Sequence, residues 1–129
     1  MEPFISALNV AVFWIALAGP GPDLFCFERG ERTVMCSNGV SAQEVGPNEI
    51  RFSNMVSVLR DAEGRLGLSN GVSVSKSGTW IKFGRDRWVR KLENGNFVFY
   101  RGPLCEAVGT GLAACRAPRA ELPFKPPAP

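Results

Sequence analysis

The residues best suited to chemistry in this sequence are cations interleaved with aromatic side chains. Between positions 76 and 101 there are seven Lys or Arg residues and two carboxylates, a local net charge of +5. Trp80, Trp88 and Tyr100 lie among these cations. Ring faces attract cations, and basic surfaces attract polyanions. The segment therefore predicts a surface for an anionic partner: a polysaccharide, a nucleic acid or an acidic protein cleft.

Catalytic chemistry has weaker support. The chain has no His, which excludes Ser–His–Asp and Cys–His catalysis and any His-containing zinc site. The 12 Asp and Glu residues could supply a glycosidase pair, but most of them lie at predicted turns, where solvated charges are ordinary. No carboxylate loop typical of a metal site is present. We expect a binding protein rather than an enzyme, with no cofactor and no metal.

The elements that would position these residues are marked by regularly spaced turn signals. Ser-Asn-Gly-Val-Ser begins at Ser37 and again at Ser69, and Ser-Asn-Met-Val-Ser begins midway between them at Ser53. Weaker Gly, Pro and Asn-Gly signals extend the pattern, so that a turn recurs about every eight positions from 22 to 102. Short apolar segments bounded by such turns are typical of β-hairpins.

The segments between the turns alternate in hydrophobicity. From Leu24 to Val74 the apolar residues that recur are even-numbered, and from Ile81 to Phe99 they are odd-numbered. A period of two predicts strands that bury one face, and a β-bulge near Ser77–Trp80 would explain the switch. We therefore predict an all-β fold, an antiparallel meander of about ten short strands that forms a small barrel or a sandwich.

This alternation predicts which side chains are available to a partner. If odd positions point inward after Gly78, then Trp80, Lys82, Trp88, Arg90 and Tyr100 share the outer face. The alternative is that Trp88 belongs to the core. The candidate binding residues are Ser75, Lys76, Ser77, Gly78, Trp80, Lys82, Arg87, Trp88, Arg90 and Tyr100.

Residues 4–18 form an uncharged apolar segment that ends in Ala16-Leu17-Ala18 and is followed by Gly-Pro-Gly-Pro. These features resemble the apolar region and cleavage site of a secretory signal peptide, although the first residues lack Lys and Arg. Two alternatives remain, an uncleaved membrane anchor and a buried core helix. We expect residues 1–18 to be a signal peptide or anchor, and contact with a membrane only if the segment is uncleaved.

The four cysteines support export. Cys26, Cys36, Cys105 and Cys115 all follow the apolar segment, and an even number in a small exported chain predicts disulfides. The short-range pairing of Cys26 with Cys36 and of Cys105 with Cys115 is favoured. A bond from Cys26 or Cys36 to Cys105 is the alternative.

The remaining boundaries follow from composition. Residues 19–102 would be the β domain, residues 103–117 a helix or loop closed by cysteines, and residues 118–129 a Pro-rich disordered tail.

Two fragments resemble a known family. Phe25-Cys26 followed by Glu28, Gly30 and Val34, together with Ser75-Lys76-Ser77-Gly78, is similar to the periplasmic inhibitors of c-type lysozyme, which are small antiparallel β-barrels. The resemblance implies that Ser75, Ser77 and Gly78 form a loop that enters the lysozyme cleft. It also implies a bond between Cys26 and Cys105. The family's Trp-x-Lys-Gly motif has its nearest counterpart in Trp80–Gly84, which is one residue longer and leaves the role of Lys82 open.

The sequence as a whole predicts a periplasmic or secreted β domain that binds a protein or an anionic polymer through a basic, aromatic face. In its most specific form this is an inhibitor of a lysozyme-type enzyme. The alternatives are a membrane-anchored accessory subunit of a cell-envelope complex and a binder of anionic polysaccharide or nucleic acid.

Overall fold

The computed structural model describes residues 5–19, 23–30, 32–84 and 87–117, so the predicted C-terminal tail lies outside the described residues. One helix precedes twelve antiparallel strands. They are α1 (Ala7–Ala18), β1 (Leu24–Glu28), β2 (Thr33–Cys36), β3 (Ser41–Gly46), β4 (Glu49–Phe52), β5 (Ser57–Arg60), β6 (Leu66–Leu68), β7 (Val74–Ser77), β8 (Trp80–Phe83), β9 (Arg87–Lys91), β10 (Phe97–Phe99), β11 (Leu104–Gly109) and β12 (Leu112–Arg116).

Each strand from β1 to β6 and from β7 to β12 pairs with its neighbour in the chain, and β12 pairs with β1. The single twelve-stranded sheet is thereby curled into a nearly closed barrel whose seam lies between β6 and β7. The predicted antiparallel meander and barrel are confirmed. Ten strands lie in the segment where ten were expected, and β11 and β12 are added to them.

The prediction of a helix or loop over residues 103–117 is wrong, because this segment forms the β11–β12 hairpin. Its glycines discourage a helix, and β12 completes the ladder of β1, with Ala114 opposite Phe25 and Ala113 opposite Cys26. Pairing with an existing strand edge outweighs weak local preference. The β domain therefore extends beyond residue 102, to Arg116.

The recurrent Ser-Asn motif forms turns at one end of the barrel, and its Ser and Asn side chains accept hydrogen bonds that stabilise these turns. In each motif the Asn side-chain oxygen accepts a hydrogen bond from the N–H two residues later, as Asn38 does from Val40 at 3.1 Å. The Ser hydroxyl oxygen accepts from the N–H twelve residues earlier, as Ser69 does from Ser57 at 2.7 Å. Each turn is thus tied to the adjoining strand, and a repeat of sixteen residues returns the chain to the same end.

The alternating pattern is confirmed, and its switch has a different cause from the one predicted. The even-numbered apolar residues of the predicted alternation are buried or half-buried up to Val74, and the odd-numbered series follows from Ile81. Ser77 pairs directly with Trp80 across the two-residue loop Gly78–Thr79, and the β7–β8 register contains no bulge. The hairpins marked by Ser-Asn have three residues between the paired positions, as between Cys36 and Val40. A loop with an even number of residues inverts the parity of the inward positions.

Helix α1 lies inside the barrel. Seven of its residues are buried, it contacts β1, β2, β11 and β12, and it shares one apolar core with the inward residues of the strands. The Trp14 ring lies 5.6 Å from that of Phe52, and the Phe13 ring lies 6.4 Å from that of Phe83. This arrangement corresponds to the buried-helix alternative for residues 4–18, while cleavage after Ala18 stays a prediction. No helix among the described residues has the length and hydrophobicity to span a membrane.

Two disulfides hold the strands next to α1. Cys26 bonds to Cys36 and Cys105 bonds to Cys115, each pair directly opposite on neighbouring strands with Cα atoms 4.0 Å apart. The favoured short-range pairing is confirmed, and the Cys26–Cys105 bond implied by the family resemblance is wrong. All four cysteines are buried, and both disulfides indicate folding in an oxidising, extracellular environment.

The turn at Met55 provides a test of this architecture. Met55 has φ +72° at the position where the two sister motifs have Gly39 at +87° and Gly71 at +86°. A side chain there is strained, so we expect Met55→Gly to raise the free energy of unfolding by about 0.5–1 kcal/mol. Met55→Ala keeps the strain and is the matched control. Urea denaturation followed by circular dichroism measures both, and equal stabilities of the two variants would contradict the turn geometry.

Candidate functional site

The outer face of β7–β10 gathers most of the predicted binding residues. Trp80 lies opposite Arg90, and Lys82 lies opposite Trp88, on adjoining strands. The N–H of Tyr100, just beyond β10, donates a hydrogen bond to the carbonyl of Trp88 at 2.9 Å. These five residues are called the aromatic–basic patch.

The β7–β8 pairing adds two hydroxyl groups to this patch. Ser75 lies opposite Lys82, and Ser77 lies opposite Trp80. Both serines are exposed. The inhibitor-like loop and the basic, aromatic face, which were separate features of the sequence, therefore form one continuous surface.

Within the patch the cations lie over the rings. The Lys82 Nζ atom lies 5.3 Å from the centroid of the Trp88 ring, and the Arg90 Cζ atom lies 5.9 Å from that of Trp80. The two indoles meet edge to face, with centroids 6.1 Å apart and planes at 89°. Cation–π contact attracts each charge toward a ring that is itself packed. The patch thus holds two positive charges in defined positions.

The expectation of two exposed tryptophans is wrong for Trp80, which is only 6% exposed although it lies on the outer face. Its edge-to-face contact with Trp88 and the Arg90 side chain above its ring cover it. Trp88 is half-buried, as are Lys82, Arg90 and Tyr100. Trp80 therefore packs beneath the other side chains of the patch. A partner would contact the half-buried members of the patch instead: Lys82, Trp88, Arg90 and Tyr100.

Val98 also lies next to the aromatic–basic patch, and the sequence analysis did not predict it. It lies opposite Arg90 on the outward side of β10 and is 2% exposed. The sequence contained a signal for this position: Val98 is an apolar residue at an even-numbered position, which the alternation predicts to point outward, close to Trp88. It indicates that part of the outer face is packed rather than solvated.

Arg87, which the sequence predicts as a binding residue, lies outside the aromatic–basic patch. It shares the inward side of β9 with the fully buried Val89, because alternate residues of a strand face the same way. Its Nη1 atom donates a hydrogen bond to the Ala16 carbonyl oxygen at 2.6 Å, so Arg87 ties the end of α1 to the barrel.

The remaining two loop residues lie at the mouth of the barrel. Lys76 lies opposite Ile81 on the inward side, and Gly78 has φ +62° in the two-residue turn. They border an open depression of about 260 Å³. Its lining residues are Lys76, Gly78, Thr79, Ile81, Lys91, Leu92 and Glu93.

Asp61 is the carboxylate with the best-defined hydrogen bonds, and its role is structural. Asp61 accepts hydrogen bonds from the N–H groups of Arg65 and Glu63 in the β5–β6 turn, and its other oxygen lies 2.9 Å from Arg65 Nε. The Arg65 N–H is the main cause that lowers the Asp61 pKa below its ordinary value of 3.8. These bonds close the hairpin and favour the charged carboxylate.

Comparison with known proteins returned no match: no protein-family model, no curated protein and no solved structure matches this chain.

The packing of the two indoles predicts unequal costs of truncation. We expect Trp80→Ala to lower the free energy of unfolding by about 3 kcal/mol, because it empties a buried position, and Trp88→Ala to lower it by about half as much. Urea denaturation monitored by far-ultraviolet circular dichroism compares the two variants. Equal costs, or a larger cost at Trp88, would contradict the arrangement of the patch.

Proposed function

We propose that this protein is a periplasmic or secreted binding protein that attaches to an anionic polysaccharide through the aromatic–basic patch. The observation that carries the proposal is the placement of Lys82 and Arg90 over the rings of Trp88 and Trp80. Cations already held in place lose little conformational entropy when they meet an anion. The two disulfides favour a partner outside the cytoplasm, where polysaccharides are more accessible than nucleic acids.

The neighbouring side chains suit a sugar polymer. The Ser75 and Ser77 hydroxyls can donate to or accept from sugar hydroxyl groups, and both are exposed beside Lys82 and Trp80. The half-buried Tyr100 ring has the Arg101 Cζ atom 5.3 Å from its centroid and adds a third cation at the border of the face. Aromatic edges, hydroxyls and cations together match a chain that carries carboxylate or sulfate groups.

Retention on heparin tests this proposal. We expect binding that weakens as salt rises, because counterions compete with the protein cations. Replacing Lys82 and Arg90 by Gln should reduce the slope of log affinity against log salt by about one for each cation removed. This value is the one known for cations that contact nucleic-acid phosphates. Affinity chromatography and calorimetry at several salt concentrations provide the measurement.

Arg51→Gln is the matched control, since it removes the same charge from an exposed side chain on β4, outside the patch. If Arg51→Gln weakened binding as much as Arg90→Gln, the retention would reflect net charge alone and the patch would lose its function. Stronger binding of single-stranded DNA than of heparin would favour the nucleic-acid alternative.

A second candidate function is inhibition of a lysozyme-type enzyme. The observation that favours it is the tight β7–β8 hairpin, which presents exposed Ser75 and Ser77 next to the lysine-bordered depression. A rigid hairpin with basic neighbours suits an acidic cleft, because little ordering is needed on binding.

Turnover of a c-type lysozyme in the presence of the purified protein tests this candidate. We expect inhibition at micromolar protein, and we expect Ser77→Asp to abolish it, because a carboxylate would be repelled from an acidic cleft. The same substitution tested on heparin separates the two candidates. Unchanged lysozyme turnover at micromolar protein would remove the inhibitor hypothesis.

A further inference from the structure

The barrel has an unpaired seam between β6 and β7. Every other pair of neighbouring strands is joined by a hydrogen-bonded ladder, whereas none joins β6 to β7 in the part of the chain that the structure describes. The two strands are connected by residues 69–73, which form the third Ser-Asn motif. An unpaired strand edge presents backbone N–H and C=O groups, and these are a template for an additional strand.

The third Ser-Asn motif forms its turn but does not close the hairpin that its two sister motifs close. In the sister motifs the last strand residue donates its N–H to the carbonyl four residues later, as Cys36 does to Val40 at 2.8 Å. The third motif keeps the turn bond from the Gly71 N–H to the Leu68 carbonyl, at 3.1 Å. Among the described residues, however, no bond joins the Leu68 N–H to Val72. The same local sequence therefore begins a paired hairpin twice and an unpaired one here.

The backbone of β7 bonds to β8 through alternate residues, and the other residues face the seam. The N–H of Gly84 donates to the carbonyl of Ser73 at 2.7 Å, so Ser75, two residues further along, also bonds toward β8. In an antiparallel ladder the bonding direction alternates from one residue to the next. The N–H and C=O groups of Val74 and Lys76 therefore point away from β8, toward β6.

The same alternation in β6 directs a second set of backbone groups into the seam. The N–H of Ser69 donates to the carbonyl of Ser57 at 2.9 Å, so Gly67 bonds toward β5 as well. The N–H and C=O groups of Leu66 and the N–H of Leu68 therefore face β7. The two edges thus meet with donors and acceptors that no described strand satisfies.

The side chains along the seam define the chemistry of a strand that would fit there. Leu66 and Val74 are half-buried and pack against the core. Lys76, the next inward position of β7, is exposed and forms no ion pair with any residue that the structure describes. A strand between the two edges therefore needs an apolar side chain next to Leu66 and Val74, and a carboxylate next to Lys76. On the outer side, a Cβ atom added to Gly67 would meet nothing within 4 Å, so the outward side chains are unrestricted there.

The elements that hold the core together lie far from the seam. The two disulfides join β1 to β2 and β11 to β12, and α1 packs against these four strands, midway between the two edges of the sheet. Paired strands lie about 4.8 Å apart, so an added strand requires the seam to widen by no more than about that distance. This widening breaks no ladder and no disulfide.

We propose that the seam is a docking site for an extended, acidic segment of another protein, which adds a strand between β6 and β7. Its backbone bonds to the edge groups of Leu66 and Leu68 on one side and of Val74 and Lys76 on the other. Its inward side chains are apolar next to Leu66 and Val74, and its carboxylate pairs with Lys76. This site is separate from the aromatic–basic patch and goes beyond the proposed function.

The probe for this site is a synthetic peptide that copies residues 40–45, with both ends blocked. In the first sister hairpin these residues pair with β2, with Ala42 opposite Val34. In the same register on β6, the copy of Ala42 lies next to Leu66 and the copy of Glu44 lies next to Lys76. A control peptide in which the members of each successive pair of residues are exchanged has the same composition and the opposite alternation.

Amide hydrogen exchange of the full, oxidised chain, followed by nuclear magnetic resonance, reports each seam group separately. In the free protein we expect the N–H groups of Val74 and Lys76 to exchange fast and that of Ser75 to exchange slowly. Saturating probe peptide should slow Val74 and Lys76 about tenfold or more, and the control peptide should not. Ser75 is the internal reference, because its N–H bonds to β8 in either state.

Three outcomes of this measurement overturn the proposal. Slow exchange of Val74 and Lys76 in the free protein at every concentration means that β7 closes directly on β6. Protection that rises with protein concentration, without peptide, assigns the seam to a second copy of this chain. Fast exchange in saturating probe peptide means that the seam accepts no strand.

Lys76→Gln tests the placement of the carboxylate, with a second probe peptide in which glutamine replaces the copy of Glu44. We expect this variant to bind the glutamate peptide about threefold more weakly and the glutamine peptide equally well. Arg51→Gln is the matched control, because it removes a cation from the exposed face of β4 and should change neither affinity. An equal effect of Lys76→Gln on both peptides overturns the pairing of Lys76 with the carboxylate.

Discussion

The structure depends on the filling of an apolar lumen. A closed sheet of about eight strands is narrow enough for its own inward side chains to fill, whereas twelve strands enclose more space than that. Here α1 supplies the missing volume, with its buried residues and the inward residues of the strands forming one core. The uncharged helix that precedes the strands therefore fills the space that a barrel of twelve strands would otherwise leave empty. The large number of strands, in turn, makes the lumen wide enough to hold a helix.

The candidate binding face depends on one short loop. Because Gly78–Thr79 contains two residues, Ser77 pairs with Trp80 and the inward parity is inverted from β8 onward. Trp80 and Lys82 are thereby placed outward beside Ser75 and Ser77, in register with Arg90 and Trp88 of the next strand. A loop one residue longer would turn the indole and ammonium groups of β8 toward the core, where a charge is costly to bury.

The cations of β9 have two different roles, one on the inner face of the barrel and one on the outer face. Arg87 and Arg90 are three residues apart on β9 and therefore lie on opposite faces, one holding α1 and the other lying over Trp80. The same basic segment thus serves both the closure of the core and the surface that we propose binds an anion. Local charge density alone does not distinguish these two roles.

The sequence by itself determined the strands, because turn residues at regular intervals and alternation between Leu24 and Phe99 are local properties of the chain. It also determined the outward side of Lys82, Trp88 and Arg90. Only the tertiary structure decided that Trp80 is covered, that Arg87 bonds to the end of α1 and that residues 104–116 form two strands. These outcomes depend on partners distant in sequence, Ala16 for Arg87 and β1 for β12, and no local periodicity encodes such contacts.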